Sequence, residues 1–445
     1  MKCYQNEKVQ AVVRVVEGKY LQARYNLAAD PVEITVGQGE NWSVLACKEA
    51  YGKAVKTAKE LEVESCLFDM TAALTLSEDG LLAAVEGVYG GAYKKKYAMT
   101  GEVAPAMECY ATGEGLCECA LERADNLAKA VMQARNLVNR PANMLTPELF
   151  AKEAISMTEG LPVDVKIYSK TELENLGFGA MLSVGASSAN DPTMTVIRYN
   201  GAPESSERLG YVGKAITFDT GGYSLKAAKG MMTQKDDMAG GAAVLAVICA
   251  LAANKAKVNV TAVIPACENR VSHNSTLPGD VITSLSGQTI EVLSTDAEGR
   301  LILCDGITWA IREEKVTRLV DVATLTGAIV AMLGRVATGV MANDDDWYAL
   351  LEKASARSGE KFWRIPAFAE YEDLNQSDYA DMRNTTKDGC GAIAAGLFLK
   401  KFTEDKPWMH LDIAGTSKGN VWQHHVGDAT GTPVSTLYHL AVGME

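Results

Sequence analysis

The chain has 445 residues, 47% hydrophobic and 22% charged, a composition that suits a globular protein long enough for two domains and excludes disorder or a fibrous repeat. With 43 Lys and Arg against 56 Asp and Glu the formal charge is −13, and no basic block stands out, which argues against nucleic acid or an anionic membrane as a partner. The opening "MKCYQNEKVQAVVRVV" lacks the pattern of a secretory signal, and the longest apolar stretch, Ala239–Ala253, falls short of the roughly 20 residues that span a bilayer.

The 10 cysteines show no CxxC and no disulfide-like spacing, and Cys249 inside "VLAVICALA" reads as a small buried apolar residue. A reducing, cytoplasmic location is expected.

In chain order, "AVVRVVEG", "VEITVG" and "SCLFDMTAAL" read as short β-rich runs around one amphipathic helix, "ENWSVLACKEAYGKAVKTAKELEV". Together they predict a small α/β domain over residues 1–118. Glycines in "VEGVYGGAY" and "ATGEGL" suggest a boundary, and "ALERADNLAKAVMQARNLV" predicts a connecting helix within 119–140.

From 141 to 445 apolar strands alternate with helices. The strands are "VKIYS", "MTVIRY", "LGYVG", "VNVTAVIPA", "TIEVL", "RLVDVATL" and "MHLDIA"; "ELFAKEAISMTEG", "GGAAVLAVICALAANK", "LILCDGITWAIREE" and "GAIAAGLFLKKFTE" are the helices. Such alternation predicts an α/β fold with a mostly parallel central sheet, whose functional groups lie on loops at the carboxyl ends of strands.

Three of those loops carry charge beside glycine. "YVGKAITFDTGGYSLK" holds Lys214, Asp219 and Lys226; "QKDDMAGG" holds Asp236 and Asp237; "STDAEGR" holds Asp296, Glu298 and Arg300. Carboxylates that converge in a cleft raise one another's pKa and need compensating cations. Oxygen ligands without His or Cys suit a pair of Mn, Mg or Zn ions, which activate water and polarise a carbonyl or phosphoryl oxygen. None of His273, His410, His424, His425 and His439 lies in these segments. In an extended "TDAEGR" the side chains of Asp296, Glu298 and Arg300 share one side, Gly299 lets the chain bend, and the helix that follows offers an anion site beside Arg300. Taken singly, Asp237 reads equally well as a helix cap, and Lys214, Lys226 or Arg300 as solvated charges.

At these residues the chain resembles the leucyl aminopeptidases of the M17 type, dimetal exopeptidases. The match runs in order through "VNRPANMLTPE", "VGKAITFDTGGYSLK", "DDMAGGAAV", "LPGDVI", "STDAEGRL", "DVATLTGA", "KDGCGAIAA", "HLDIAGTS" and "DATGTPVSTL", from about Asn136 to Leu440. It implies two divalent ions, Mn or Zn, held by Lys214, Asp219, Asp237, Asp296 and Glu298, with Asp219 and Glu298 bridging. Lys214 would ligate as the neutral amine with a depressed pKa, Lys226 would donate to the developing oxyanion, and Arg300 would hold a bicarbonate that relays the proton. Thr324, Leu325, Gly327 and Ala414 would line the substrate cleft.

The resemblance further implies a macro-like first domain, a homohexamer, and hydrolysis of the N-terminal residue from short peptides. Gln234 and Ser417 stand where the family commonly has Met in the first-residue pocket, and Ser294 stands for the usual Asn. The two polar replacements argue against a strict leucine preference. The competing readings are a two-metal phosphoesterase and a non-enzymatic binding protein.

Overall fold

A computed structural model of the chain describes residues 1–94, 97, 106–419 and 429–444. His424, His425 and Asp428, the first residue of "DATGTPVSTL", lie outside the described residues.

The first sheet has six strands in the order Lys2–Cys3, Glu108–Thr112, Ser65–Asp69, Ala11–Val16, Val32–Gly37 and Ala23–Asn26. All neighbours are parallel except the last pair. In Ala11–Val16 the alternation is plain: Ala11, Val13 and Val15 are buried while Arg14 faces solvent, the period-2 signature of a half-covered sheet. Helix Val44–Glu60 covers this sheet, and the Ser43 hydroxyl caps it by accepting from the Ala46 amide.

Of the two glycine-bearing stretches, "ATGEGL" runs up to helix Glu118–Asn139, while "VEGVYGGAY" lies almost wholly inside helix Ser77–Ala92. Its glycines serve packing. A Cβ at Gly87 would lie 2.2 Å from the Lys48 carbonyl oxygen and one at Gly91 2.6 Å from that of Gly52, so the four-residue spacing lays one bare helix face on the helix Val44–Glu60. Helix Glu118–Asn139 then packs on Ser77–Ala92 and on Ala239–Ala253, tying the two halves together.

The second sheet has nine strands. Its path is Phe362–Arg364, Thr338–Ala342, Trp408–Asp412, Arg318–Ala323, Leu209–Gly213, Asn259–Asn269, Thr193–Asn200 and Val163–Tyr168, with Ala215–Asp219 pairing the far end of Asn259–Asn269. The centre is parallel. Every residue of Asn259–Asn269 is buried, as a strand covered on both faces requires. Helix Ala239–Ala253 packs on one face, in a core continuous with the first domain, while Gly299–Arg312 and Gly391–Lys400 pack on the other. "TIEVL" departs from expectation: Thr289–Glu291 joins a separate small sheet with Val281–Thr283 and Met382–Arg383.

Two further expectations change. Cys117 and Cys119 form a disulfide, with Cα atoms 5.4 Å apart where the chain turns into helix Glu118–Asn139. The segment Gln234–Ala253 is apolar and long enough to cross a membrane by length and composition, because the turn before the helix extends it, yet 89% of its apolar window is buried inside the protein.

Candidate active site

The charged residues converge at the carboxyl ends of the parallel strands. Lys214 follows strand Leu209–Gly213, Asp219 ends Ala215–Asp219, and Asp237 precedes helix Ala239–Ala253. Asp296 and Glu298 lie before helix Gly299–Arg312, where Glu298 occupies the N-cap position without a side-chain capping bond and Arg300 lies in the first turn.

The Lys214 ammonium is buried, 2.8 Å from both Asp237 Oδ1 and Glu298 Oε1, and donates to the Thr324 carbonyl at 3.0 Å. Lys226 Nζ lies 2.7 Å from Asp219 Oδ2 and also pairs with Asp296. Carboxylate oxygens of Asp219, Asp296 and Glu298 all fall within 4.8 Å of one another. The capping role considered for Asp237 does not hold: Met238 is the cap residue, and Asp237 Oδ1 instead accepts from the Thr324 hydroxyl at 2.8 Å.

The local backbone is not extended. Residues 295 and 296 form a turn two residues before the helix begins, so Asp296 and Glu298 meet by turn geometry rather than by strand alternation. Gly299 has a different role from the bend expected of it. A Cβ there would lie 2.5 Å from Lys214 Cε and 2.6 Å from Nζ, so glycine leaves the space that lysine fills. Gly221, with φ of 86°, makes the turn after Asp219, and its missing Cβ would sit 2.8 Å from Asp296 Oδ1.

Four carboxylates face two ammonium groups, so positive charge is short within the cluster. Burial, then Glu298, pushes the Asp219 carboxyl up to about 6 against the pull of Lys226 and Lys214. Burial likewise raises Asp237 and Asp296. Glu298 is lowered despite its burial, because Lys214 and Lys226 both face it. Burial disfavours the charged form of Lys214 too, but Asp237, Glu298 and Asp219 outweigh it and hold this amine above its ordinary range. Among protein charges alone, that shift runs opposite to the depression expected. Lys226 is raised in the same way by Asp219 and Glu298, in keeping with a charged donor.

The cluster fits divalent ions. Asp237 Oδ2 and Glu298 Oε2 are buried with no hydrogen-bond partner among the described residues, and the donor set is oxygen-rich. Asp219 Oδ1 is already taken by the Gly221 amide and the Asn269 side-chain amide, both at 2.8 Å, which leaves Oδ2 facing the cluster. Arg300 is buried, donates from Nη1 to the Asn384 carbonyl at 2.6 Å, and has no partner at Nε among the described residues; burial lowers its pKa to about 10, still a cation at neutral pH.

The residues expected to line the cleft fall on two adjoining loops. Thr324, Leu325 and Gly327 follow strand Arg318–Ala323, and Ala414 and Ser417 follow its registered neighbour Trp408–Asp412. Asp412 binds both loops: Oδ1 accepts from the amides of Leu325, Thr326 and Ala414, and Oδ2 from the Thr326 hydroxyl at 2.6 Å. Gln234, half-buried in the turn Gln234–Asp236, donates to the Gly230 carbonyl at 3.3 Å. That turn meets the second loop through the ion pair of Asp236 with Lys418. Asn269, Asp412 and Asn384 were not singled out from the sequence; a loop amide or a strand-end acid carries no signal of its own there.

Comparison with known proteins is consistent with this geometry. The profile of the "Cytosol aminopeptidase family, catalytic domain" matches residues 132–438. A "Probable cytosol aminopeptidase" of Clostridium perfringens (strain 13 / Type A) is 41% identical over 92% of this chain and 85% of its own length. One from Clostridium tetani (strain Massachusetts / E88) is 36% identical over 92% and 87%. The solved structure "Bottromycin maturation enzyme BotP in complex with Mn" superposes with a TM-score of 0.91 at 29% identity, over 98% of this chain and 99% of that one.

Proposed function

The chain belongs to the cytosol aminopeptidase family, M17, and from that premise we propose that the convergent acids described above are its catalytic centre and that it releases the N-terminal residue of short peptides. It is a metal-dependent aminopeptidase. The observation that carries the site assignment is the packing of Asp219, Asp237, Asp296 and Glu298 around Lys214, with two buried carboxylate oxygens left without a protein partner.

In this reading Lys214, Asp219, Asp237, Asp296 and Glu298 hold two divalent ions, which supply a polarised carbonyl and an activated water. Manganese is the first candidate, since the BotP structure is a complex with Mn, and zinc is the second. Lys226 is a charged donor placed for the oxygen that becomes negative as the carbonyl is attacked. Arg300, buried with its Nε unpartnered among the described residues, would seat a small anion such as bicarbonate, which would supply a base beside the metal pair. Thr324, Leu325, Gly327, Ala414, Gln234 and Ser417 line the cleft for the first residue. Gln234 and Ser417 make its pocket more polar than two methionines would, which supports a preference other than strict leucine.

The same proposal includes a cytoplasmic location and a homohexamer, with neither membrane nor nucleic acid as partner; the acidic charge and the family support it. The proposal also keeps domain limits of 1–118, 119–140 and 141–445, a division that two separate sheets with the helix Glu118–Asn139 between them support.

The test is amino-acid release from a panel of aminoacyl-p-nitroanilides and dipeptides by metal-stripped protein with Mn, Zn, Mg or Co restored. Release should need metal and vanish in Asp296→Ala and Glu298→Ala. Turnover of p-nitrophenyl phosphate with no release from any peptide would overturn the reading.

A further inference from the structure

We propose that Asn384 is a positioning residue for the reaction, one whose side chain fixes the segment bearing Asp296, Glu298 and Arg300. The proposal rests on the reading of Asp296 and Glu298 as metal ligands. Asn384 is fully buried just past strand Met382–Arg383, which runs parallel to Thr289–Glu291 and so brings it alongside the segment that follows Glu291. Its Oδ1 accepts from the amides of Leu293 at 2.9 Å and Ser294 at 3.4 Å, and its Nδ2 donates to the carbonyls of Ser294 at 2.7 Å and Ala297 at 3.4 Å. Its own carbonyl accepts from Arg300 at 2.6 Å.

A primary amide has two acceptor sites and two donor hydrogens, and here all four are spent on one loop. The contacts fall on both sides of Asp296 and end immediately before Glu298, so the loop cannot move without breaking them. An aspartate in this place would turn an oxygen toward the carbonyls of Ser294 and Ala297, reversing two attractions; an alanine would remove all four. Residues that orient ligands without touching the ion change metal affinity or activity by about 10- to 100-fold when lost, and displacements of about 1 Å can cost about 100-fold in rate. Because the same residue also takes Arg300, a shift in it moves the anion seat and the ligands together.

The experiment uses the full chain with Asn384→Ala, Asn384→Asp and, as reference, Glu298→Ala. Mn binding is followed by calorimetric titration, kcat and KM are measured at saturating Mn, and folding is checked by thermal melting. Both Asn384 variants are expected to bind Mn about 10-fold or more weakly and to lose about 10-fold or more in kcat with KM changed less than about 3-fold. If Asn384→Ala does not fold, the near-isosteric Asn384→Asp decides. A folded Asn384 variant with the parent's Mn isotherm and kcat overturns the proposal while Glu298→Ala still loses Mn. Should Glu298→Ala bind Mn as the parent does, the metal reading of the site fails and this proposal with it.

Discussion

The Thr324 hydroxyl donates to Asp237 Oδ1 across 2.8 Å, and its carbonyl accepts from Lys214 at 3.0 Å. One loop residue therefore holds two members of the cluster that come from different segments of the chain. Asp412 in turn holds that loop through the amides of Leu325 and Thr326, so the geometry around Asp237 is set two residues deep. Thr324→Val keeps the volume and the carbonyl and removes only the hydroxyl. We expect Mn affinity and kcat each to fall about 10-fold, with a change in Tm of only a few degrees. Mn titration beside steady-state kinetics checks this, and unchanged Mn binding would show that the hydroxyl does not orient Asp237.

Gly299 sets two effects of opposite sign against each other. It lies in the first turn of helix Gly299–Arg312, where alanine is intrinsically better by about 1 kcal/mol. Against that, the added Cβ would approach Lys214 Cε to 2.5 Å, which no flexible tip relieves, because Lys214 is pinned by Asp237, Glu298 and Thr324. Steric displacement wins. Gly299→Ala should lower kcat by about 100-fold while the helix and the melting transition survive. Near-parent activity in this variant would mean that Lys214 can move without consequence.

The two sheets and the acid cluster were legible because each leaves a strong local pattern. Apolar runs such as "VNVTAVIPA" announce a strand buried on both faces, and "STDAEGR" places three charges against an apolar helix where solvation alone cannot explain them. The route by which Asp296 and Glu298 meet was less legible, since alternation in a short segment cannot be told from a turn entering a helix. Helix Ser77–Ala92 was hidden for a related reason: its glycines read as breakers, and only the position of Val44–Glu60 shows that they are contact residues. Asn384 and Asn269 act on partners far along the chain, 84 residues to Arg300 and 50 to Asp219, and no local pattern encodes such a pairing.

His439 makes stability depend on pH. It is buried in helix Val434–Val442, with Nδ1 3.9 Å from Asp79 Oδ1; burial, then Arg357 and Lys48, lowers its pKa to about 3 from an ordinary 6.5. In the unfolded chain the ring takes up a proton below 6.5, while in the folded chain it does not until about 3. Its contribution is therefore intact above pH 6.5 and is lost progressively as the pH falls toward 3. At pH 5 the loss from this group is about 2 kcal/mol. Carboxylates add their own slopes, so the comparison is with His439→Gln: its ΔG of unfolding should fall less between pH 7.5 and 5 than the parent's, whatever the offset between the two proteins at pH 7.5. Equal slopes would place the titration elsewhere.

The first-residue pocket proposed for Gln234 and Ser417 gives the last expectation. Gln234 is half-buried with its side-chain amide on the Gly230 carbonyl, and Ser417 is buried with its hydroxyl unpaired among the described residues. A polar wall penalises leucine twice, through lost apolar contact and through any hydrogen bond the bound side chain displaces without replacing. Gln234→Met restores apolar surface of similar length and removes the amide. The ratio of kcat/KM for a leucyl substrate to that for a seryl or asparaginyl substrate should then rise about 5- to 10-fold, at the lower end of the about 1 to 3 kcal/mol that methylene-scale contacts provide. The change should appear in KM with kcat nearly unchanged, because the pocket grips substrate and transition state alike once the α-amine is seated. An unchanged ratio would mean that position 234 does not face the first side chain, and the polar character of the pocket would then rest on Ser417 alone.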